Sequence, residues 1–163
     1  MLEQGFPGVS GRDLRLFQWT GPGRFGDSPP MPVRVTKQLE FAASHTYSAA
    51  GASPEENERL FGPCVRHHGH NYMLQVTVEG ETDPRTGMVV NVTDLKKAMQ
   101  DAVAELDHRH LNLDVAHFKK HNPSTENIAL YLFEKLRAKV APARLRTVRL
   151  HEDESLSVEV NDA

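Results

Sequence analysis

The chain has 163 residues, 39% of them apolar, enough for one globular domain with a real core and too few for two. Its net charge of -3 comes from interspersed acids and bases, with no basic block and no aromatic–basic interleaving, which argues against nucleic acid as a partner. No apolar run approaches the ~20 residues that cross a bilayer, the N-terminus lacks a signal peptide's basic start and apolar run, and the single cysteine cannot form an internal disulfide, so a cytoplasmic protein is expected.

Residues 1–32 hold six of the 11 glycines and five of the 10 prolines, and read as an extended arm ahead of a domain over 33–163. In VRVTKQLEFAASH the odd positions Val33, Val35, Leu39, Phe41 and Ala43 are apolar, with Lys37 the exception. This predicts a strand that carries His45 in the same phase. A polar, acidic connection follows. HGHNYMLQVTVEG then predicts a second strand, with His68 and His70 in phase with Tyr72, Leu74, Val76 and Val78. DPRTG is a turn signal. Leu95, Ala98, Met99, Ala102, Val103 and Leu106 recur at helical spacing, with Asn91 or Thr93 as N-cap. A histidine-rich loop leads to a second helix beginning near Ser124 and stopping before Pro142. RLRTVRLHE and SLSVEV alternate, and their polar joint predicts a hairpin. The predicted order is strand, strand, helix, helix, strand, strand.

Three of the nine histidines fall in CVRHHGHNY, residues 64–72. Residues i and i+2 of a strand share a face about 6.6 Å apart, so imidazoles at that spacing can converge on one ion with Zn–N bonds of roughly 2.0–2.1 Å. His68 and His70 have this spacing, Gly69 between them permits a close backbone approach, and His45 can join them if the two strands pair. An isolated His-x-His is usually an exposed strand, but this pair shares its phase with the core. Three neutral histidines form the open, catalytic type of zinc site. His67 is out of phase and reads as a bystander. Cys64 is either a small buried hydrophobe or a reactive base or nucleophile. Asp107 can fix the tautomer of His108 only if the helix has already ended. Glu152 is in phase with Val148 and Leu150, where a carboxylate needs a partner or a function.

FAASH, C-x3-HGHNY, GMVVNVTDLK, LDHRHLNLD, NPSTEN and a late strand ending in Glu resemble, in order and at compatible spacing, the 6-pyruvoyl-tetrahydropterin synthase superfamily. That superfamily includes the 6-carboxytetrahydropterin synthases of queuosine biosynthesis. The match runs from about Val33 to Val160. The resemblance implies an α+β T-fold (ββααββ): a four-stranded antiparallel sheet with two helices on one face. The sheets join into a barrel in a trimer, and two trimers stack into a homohexamer with active sites between subunits. It implies Zn2+ held by His45, His68 and His70, catalytic Cys64, and an Asp107–His108 pair. Glu152 would anchor the pterin, with Ser124, Thr125 and Glu126 seating it.

The substrate so implied is 7,8-dihydroneopterin triphosphate, and Lys119, Lys120 and Arg66 are candidates to meet its phosphates. The three-residue spacer between Cys64 and His68 is similar to the carboxy type, which is the expected activity. EENERLFG and HGHNY look more like the pyruvoyl type, which is the alternative. A non-catalytic pterin- or zinc-binding protein, and a metal-dependent hydrolase, are the readings from other classes.

Overall fold

Alternating apolar and polar side chains build the two long strands that carry the site. In the computed structural model, which describes residues 31–162, β1 runs Val33–His45 and β2 runs His68–Gly80. They pair antiparallel along their whole length, from Val33 opposite Gly80 to His45 opposite His68. Directly opposed residues share a face, so Phe41, Ala43 and His45 lie with Tyr72, His70 and His68. The arm expected over 1–32 lies outside the described residues apart from Met31 and Pro32.

The connection after β1 contains a helix that its acidic composition conceals. α1, Pro54–Phe61, starts on Ser53, whose hydroxyl accepts from the Glu56 amide at 3.2 Å. It buries no residue and so has no apolar stripe to read. A 3-10 turn over Gly62–Val65 then holds Cys64. α2, Val92–Val103, is capped by Asn91, and Leu95, Ala98, Met99, Ala102 and Val103 are buried. The two-residue β3, Arg109–His110, and the one-turn α3, Leu111–Asp114, occupy the histidine-rich loop. α4, Thr125–Arg137, begins at Ser124 and ends short of Pro142. β4, Arg144–His151, and β5, Ser157–Asn161, form the expected hairpin.

The sheet order is β3-β1-β2-β4-β5. The expectation of four antiparallel strands is therefore corrected to five, with β3 parallel to β1 at Ala43 and Ser44. Two residues are too short to show any period. One sheet face and the stripes of α2 and α4 make the core, where Tyr72, Leu74, Leu95, Met99, Ile128, Leu132 and Leu150 are fully buried. Each such Leu contributes about 1.5–3 kcal/mol through burial. The other face is polar, with Thr36 opposite Thr77 and Arg34 paired to Glu79. Among the described residues no helix is long and apolar enough to cross a membrane.

Candidate active site

Strand register brings the three predicted ligands together. His45 ends β1 opposite His68, and His70 stands opposite Ala43 on the same face. One ligand atom from each imidazole lies within 4.8 Å of the others. Backbone carbonyls orient two of the rings. His45 Nδ1 is 2.8 Å from the carbonyl oxygen of Pro123, and His68 Nδ1 is 2.7 Å from that of Arg66. A carbonyl only accepts, so both Nδ1 atoms carry the proton and both Nε2 atoms present lone pairs. These Nε2 atoms face each other at 3.1 Å.

Two bare lone pairs at that distance repel unless a cation lies between them. Tetrahedral Zn–N bonds of about 2.0–2.1 Å place neighbouring donors roughly 3.3 Å apart. His70 Nε2 adds a buried polar atom with no hydrogen-bond partner among the described residues, 3.5 Å from Glu152 Oε1. Burial, with His68 and His70 beside it, pulls the His45 imidazole down to about 4, against the opposing pull of the Pro123 carbonyl. The ring is thus neutral at pH 7, as a metal ligand must be. The donor set fits one metal ion.

The surroundings of these rings are aromatic. Tyr47 meets His45 with centroids 4.9 Å apart, and Tyr72 sends its hydroxyl to 3.4 Å from His45 Nδ1. Burial and the Glu152 carboxylate push the Tyr47 hydroxyl up to about 12, and burial pushes that of Tyr72 higher still. Sequence reasoning misses both tyrosines as site residues. Their signal is spacing alone: His70-x-Tyr72 continues one face of β2, while Tyr47 stands two residues past His45, beyond the end of β1.

Glu152 lies one residue beyond β4, where the chain leaves the sheet, and its side chain is only 11% exposed. Thr125, itself buried, donates its hydroxyl to Glu152 Oε2. Two of the expected pterin contacts are therefore joined within the chain. Ser124 caps α4 by accepting from the Asn127 amide at 3.4 Å, and Glu126 is exposed in the first turn of that helix.

The Asp107–His108 pair forms because α2 stops at Val103. Asp107 Oδ1 accepts from His108 Nδ1 at 2.8 Å and from the Ala42 amide at 3.0 Å. The His108 amide in turn donates to the Ala42 carbonyl at 2.6 Å. Both backbone groups of Ala42 on the outer side of β1 are thus used to dock the pair. His108 holds a φ of 57°, a left-handed conformation costing roughly 1–2 kcal/mol in a non-glycine residue. Its ring is 82% exposed. Together with His70 and Glu152 it lines a cavity of about 1180 Å³ on the polar side of the sheet. Cys64 does not line that cavity; its carbonyl accepts from the Tyr47 amide at 2.9 Å, tying the Cys64 turn to the segment after His45. No hydrogen bond joins Cys64 to His108 among the described residues. His67, expected to be a bystander, stacks on His110 with centroids 4.5 Å apart.

Fold and site together define an α+β protein that gathers three imidazoles for one metal ion at the end of a strand pair. The family model described as 6-pyruvoyl tetrahydropterin synthase matches residues 34–163. The 6-pyruvoyl tetrahydrobiopterin synthase of Homo sapiens is 42% identical over 126 residues, 76% of this chain and 87% of that protein. The dihydroneopterin monophosphate aldolase of Pyrococcus furiosus is 35% identical over 131 residues, 80% of this chain and 98% of that protein. Among solved structures, the Caenorhabditis elegans 6-pyruvoyl tetrahydropterin synthase superposes with a TM-score of 0.78 at 34% identity, covering 82% of this chain and 98% of that one. The chain belongs to the 6-pyruvoyl tetrahydropterin synthase family.

Proposed function

We propose that this protein is a zinc-dependent lyase that converts 7,8-dihydroneopterin triphosphate to a 6-pyruvoyl tetrahydropterin with loss of triphosphate. The observation that carries the metal-dependent part is the pair of lone-pair-bearing Nε2 atoms, His45 and His68, held 3.1 Å apart beside the unpartnered His70 Nε2. His45, His68 and His70 hold the ion. When bound, zinc supplies Lewis-acid polarisation of the substrate's side-chain hydroxyls.

The protein's own groups do the rest. Cys64 Sγ removes the carbon-bound proton of the side chain. His108 Nε2 delivers or accepts the partner proton, while Asp107 holds its Nδ1–H at 2.8 Å and fixes the tautomer. Glu152 accepts two N–H bonds from the guanidine-like edge of the pterin, a charge-assisted, bidentate match. Thr125 aims that carboxylate, and Tyr47 and Tyr72, packed against the imidazoles, limit water on the metal side. Ser124 and Glu126 complete the pterin seat at the start of α4. The exposed His108 and the separate placement of Cys64 support a homo-oligomer, a barrel-forming trimer paired into a hexamer, in which the Asp107–His108 pair of one subunit serves the Cys64 side of the next.

The choice of product moves away from the expectation set by the three-residue spacer. Relatives named for the pyruvoyl activity are similar over three quarters of the chain, and that outweighs one loop length. The spacer favours the carboxy activity as a second reading. Mass spectrometry of the products from dihydroneopterin triphosphate tests the choice. A pyruvoyl side chain supports the main reading. Acetaldehyde with a carboxy-pterin transfers the assignment to the second. Aldol loss of the side chain overturns both. A zinc-loaded protein that leaves the substrate unchanged would make this chain a pterin- or zinc-binding protein instead.

A further inference from the structure

A further cavity of about 620 Å³ shares no lining residue with the first. Thr46 and Ser48 form one wall and the 119–122 loop forms the other. Asn122 ties the two walls together, and Asn112 of α3 fixes the Thr46 wall. Asn112 Oδ1 accepts from the Thr46 amide at 2.9 Å and its Nδ2 donates to the Thr46 carbonyl at 3.0 Å. Asn122 Oδ1 accepts from the Ser48 amide at 3.0 Å. The cavity begins one residue from the metal centre, because Thr46 follows His45 and Asn122 precedes Pro123, and His45 Nδ1 contacts the Pro123 carbonyl.

Its charge is one-sided. Lys119, Lys120 and His121 line it, and no carboxylate does. Neither lysine has an ion-pair or side-chain hydrogen-bond partner among the described residues. His121 Nδ1 is taken by the His117 carbonyl at 3.0 Å, which leaves its Nε2 for a ligand. The first cavity is the opposite: Glu40, Glu152, Asp153 and Glu154 line it against one arginine, so a polyanion is repelled there. Arg66, the third basic candidate from sequence, lines neither cavity and points to Glu58 at 3.8 Å.

We infer that the cavity between residues 46–50 and 119–122 seats a polyphosphate, with Lys119 and Lys120 as the cationic contacts and the Ser48 and Thr46 hydroxyls as neutral donors. This rests on the proposed substrate, whose triphosphate tail it would receive while the side-chain hydroxyls face the three imidazoles. The two functions of the ligand are thus divided by charge: the acidic cavity takes the cation-like edge of a heterocycle, and the basic cavity takes the tail.

The test uses the metal-loaded, full-length protein. Inorganic tripolyphosphate is titrated calorimetrically into wild type, K119A/K120A and K119R/K120R, and KM and kcat for dihydroneopterin triphosphate are measured in parallel. The inference expects tripolyphosphate binding that weakens with added salt and is lost in the alanine variant. KM should rise by about 10- to 150-fold, the range for one lost charge-assisted hydrogen bond, with kcat little changed and arginine restoring both readouts. Both lysines are exposed, so neither change disturbs the core. Unchanged tripolyphosphate affinity and KM in the alanine variant overturn the inference and leave the lyase reading standing. Tripolyphosphate binding that depends on the lysines, in a protein without lyase turnover, upholds the seat and removes the reading.

Discussion

Gly69 lies between two of the proposed metal ligands and tests how tightly strand pairing sets their positions. A Cβ there would sit 2.9 Å from the Ala43 carbonyl oxygen and 3.2 Å from Ser44 Cβ. The glycine has no left-handed φ, so the cost of alanine is steric alone. Ordinary contact begins at 3.4 Å, so β1 and β2 must separate by about 0.5 Å at this point. The obstructing atom is backbone and cannot rotate away. Overpacking of this kind costs about 1–3 kcal/mol, a fall in melting temperature of roughly 3–10 °C for a domain of this size. The shift also reaches the metal site, because Ala43 is the register partner of His70 and Ser44 that of Gly69. Metal–donor distances tolerate about 0.2 Å, and displaced supporting groups lower metal affinity about 10- to 100-fold. Gly69→Ala should therefore melt lower in the metal-free form, by circular dichroism, and lose zinc sooner to a chromophoric chelator. A variant that melts within about 1 °C of wild type and holds zinc equally well would refute the reasoning.

Three further outcomes follow from named contacts. The folded-state His45 pKa of about 4 lies below its unfolded value of 6.5, so the unfolded chain binds the extra proton. His45 thus makes metal-free stability fall as pH drops from about 6.5 to about 4, by at most about 3 kcal/mol. Denaturant titrations of metal-free wild type and His45→Asn across pH 5–7 should show a shallower slope in the variant, and parallel slopes would contradict it. Thr125→Val leaves the Glu152 carboxylate without its buried donor, at about 1–3 kcal/mol; urea unfolding and KM should both worsen, while Thr125→Ser stays near wild type. If valine matches serine in both assays, the hydroxyl has no such role. Cys64→Ala should keep full metal content by plasma emission spectroscopy and lose most turnover, and unchanged turnover would remove Cys64 from the chemistry.

Much of this protein is legible before folding, for a definite reason. Period-2 alternation in β1 and β2 and helical spacing in α2 and α4 mark long elements with one buried face, and the same phase carries His45, His68, His70 and Tyr72 onto that face. The helix start at Ser124 and the Asn91 cap are equally local. What escapes is structure without a buried stripe. α1 buries nothing, and β3 is two residues long, so neither prints a period. The proposed product depends on neither; loop length pointed one way and wider similarity points the other.

Only the tertiary structure decides which distant groups meet. The sequence by itself determined that His68 and His70 share one strand face and that His45 keeps the apolar phase of its own strand, because side-chain direction within a strand depends only on residue number; the pairing of the two strands brought the three together. It could not determine that carbonyls of Pro123 and Arg66 would turn two Nε2 atoms toward each other, that Thr125 would reach a carboxylate 27 residues away, or that Ala42 would dock Asp107 from 65 residues off. Those contacts depend on how helices and loops pack over the sheet. The split of charge between an acidic cavity and a basic one comes from the same packing, which puts Lys119 and Lys120 beside Ser48 and leaves Arg66 facing Glu58.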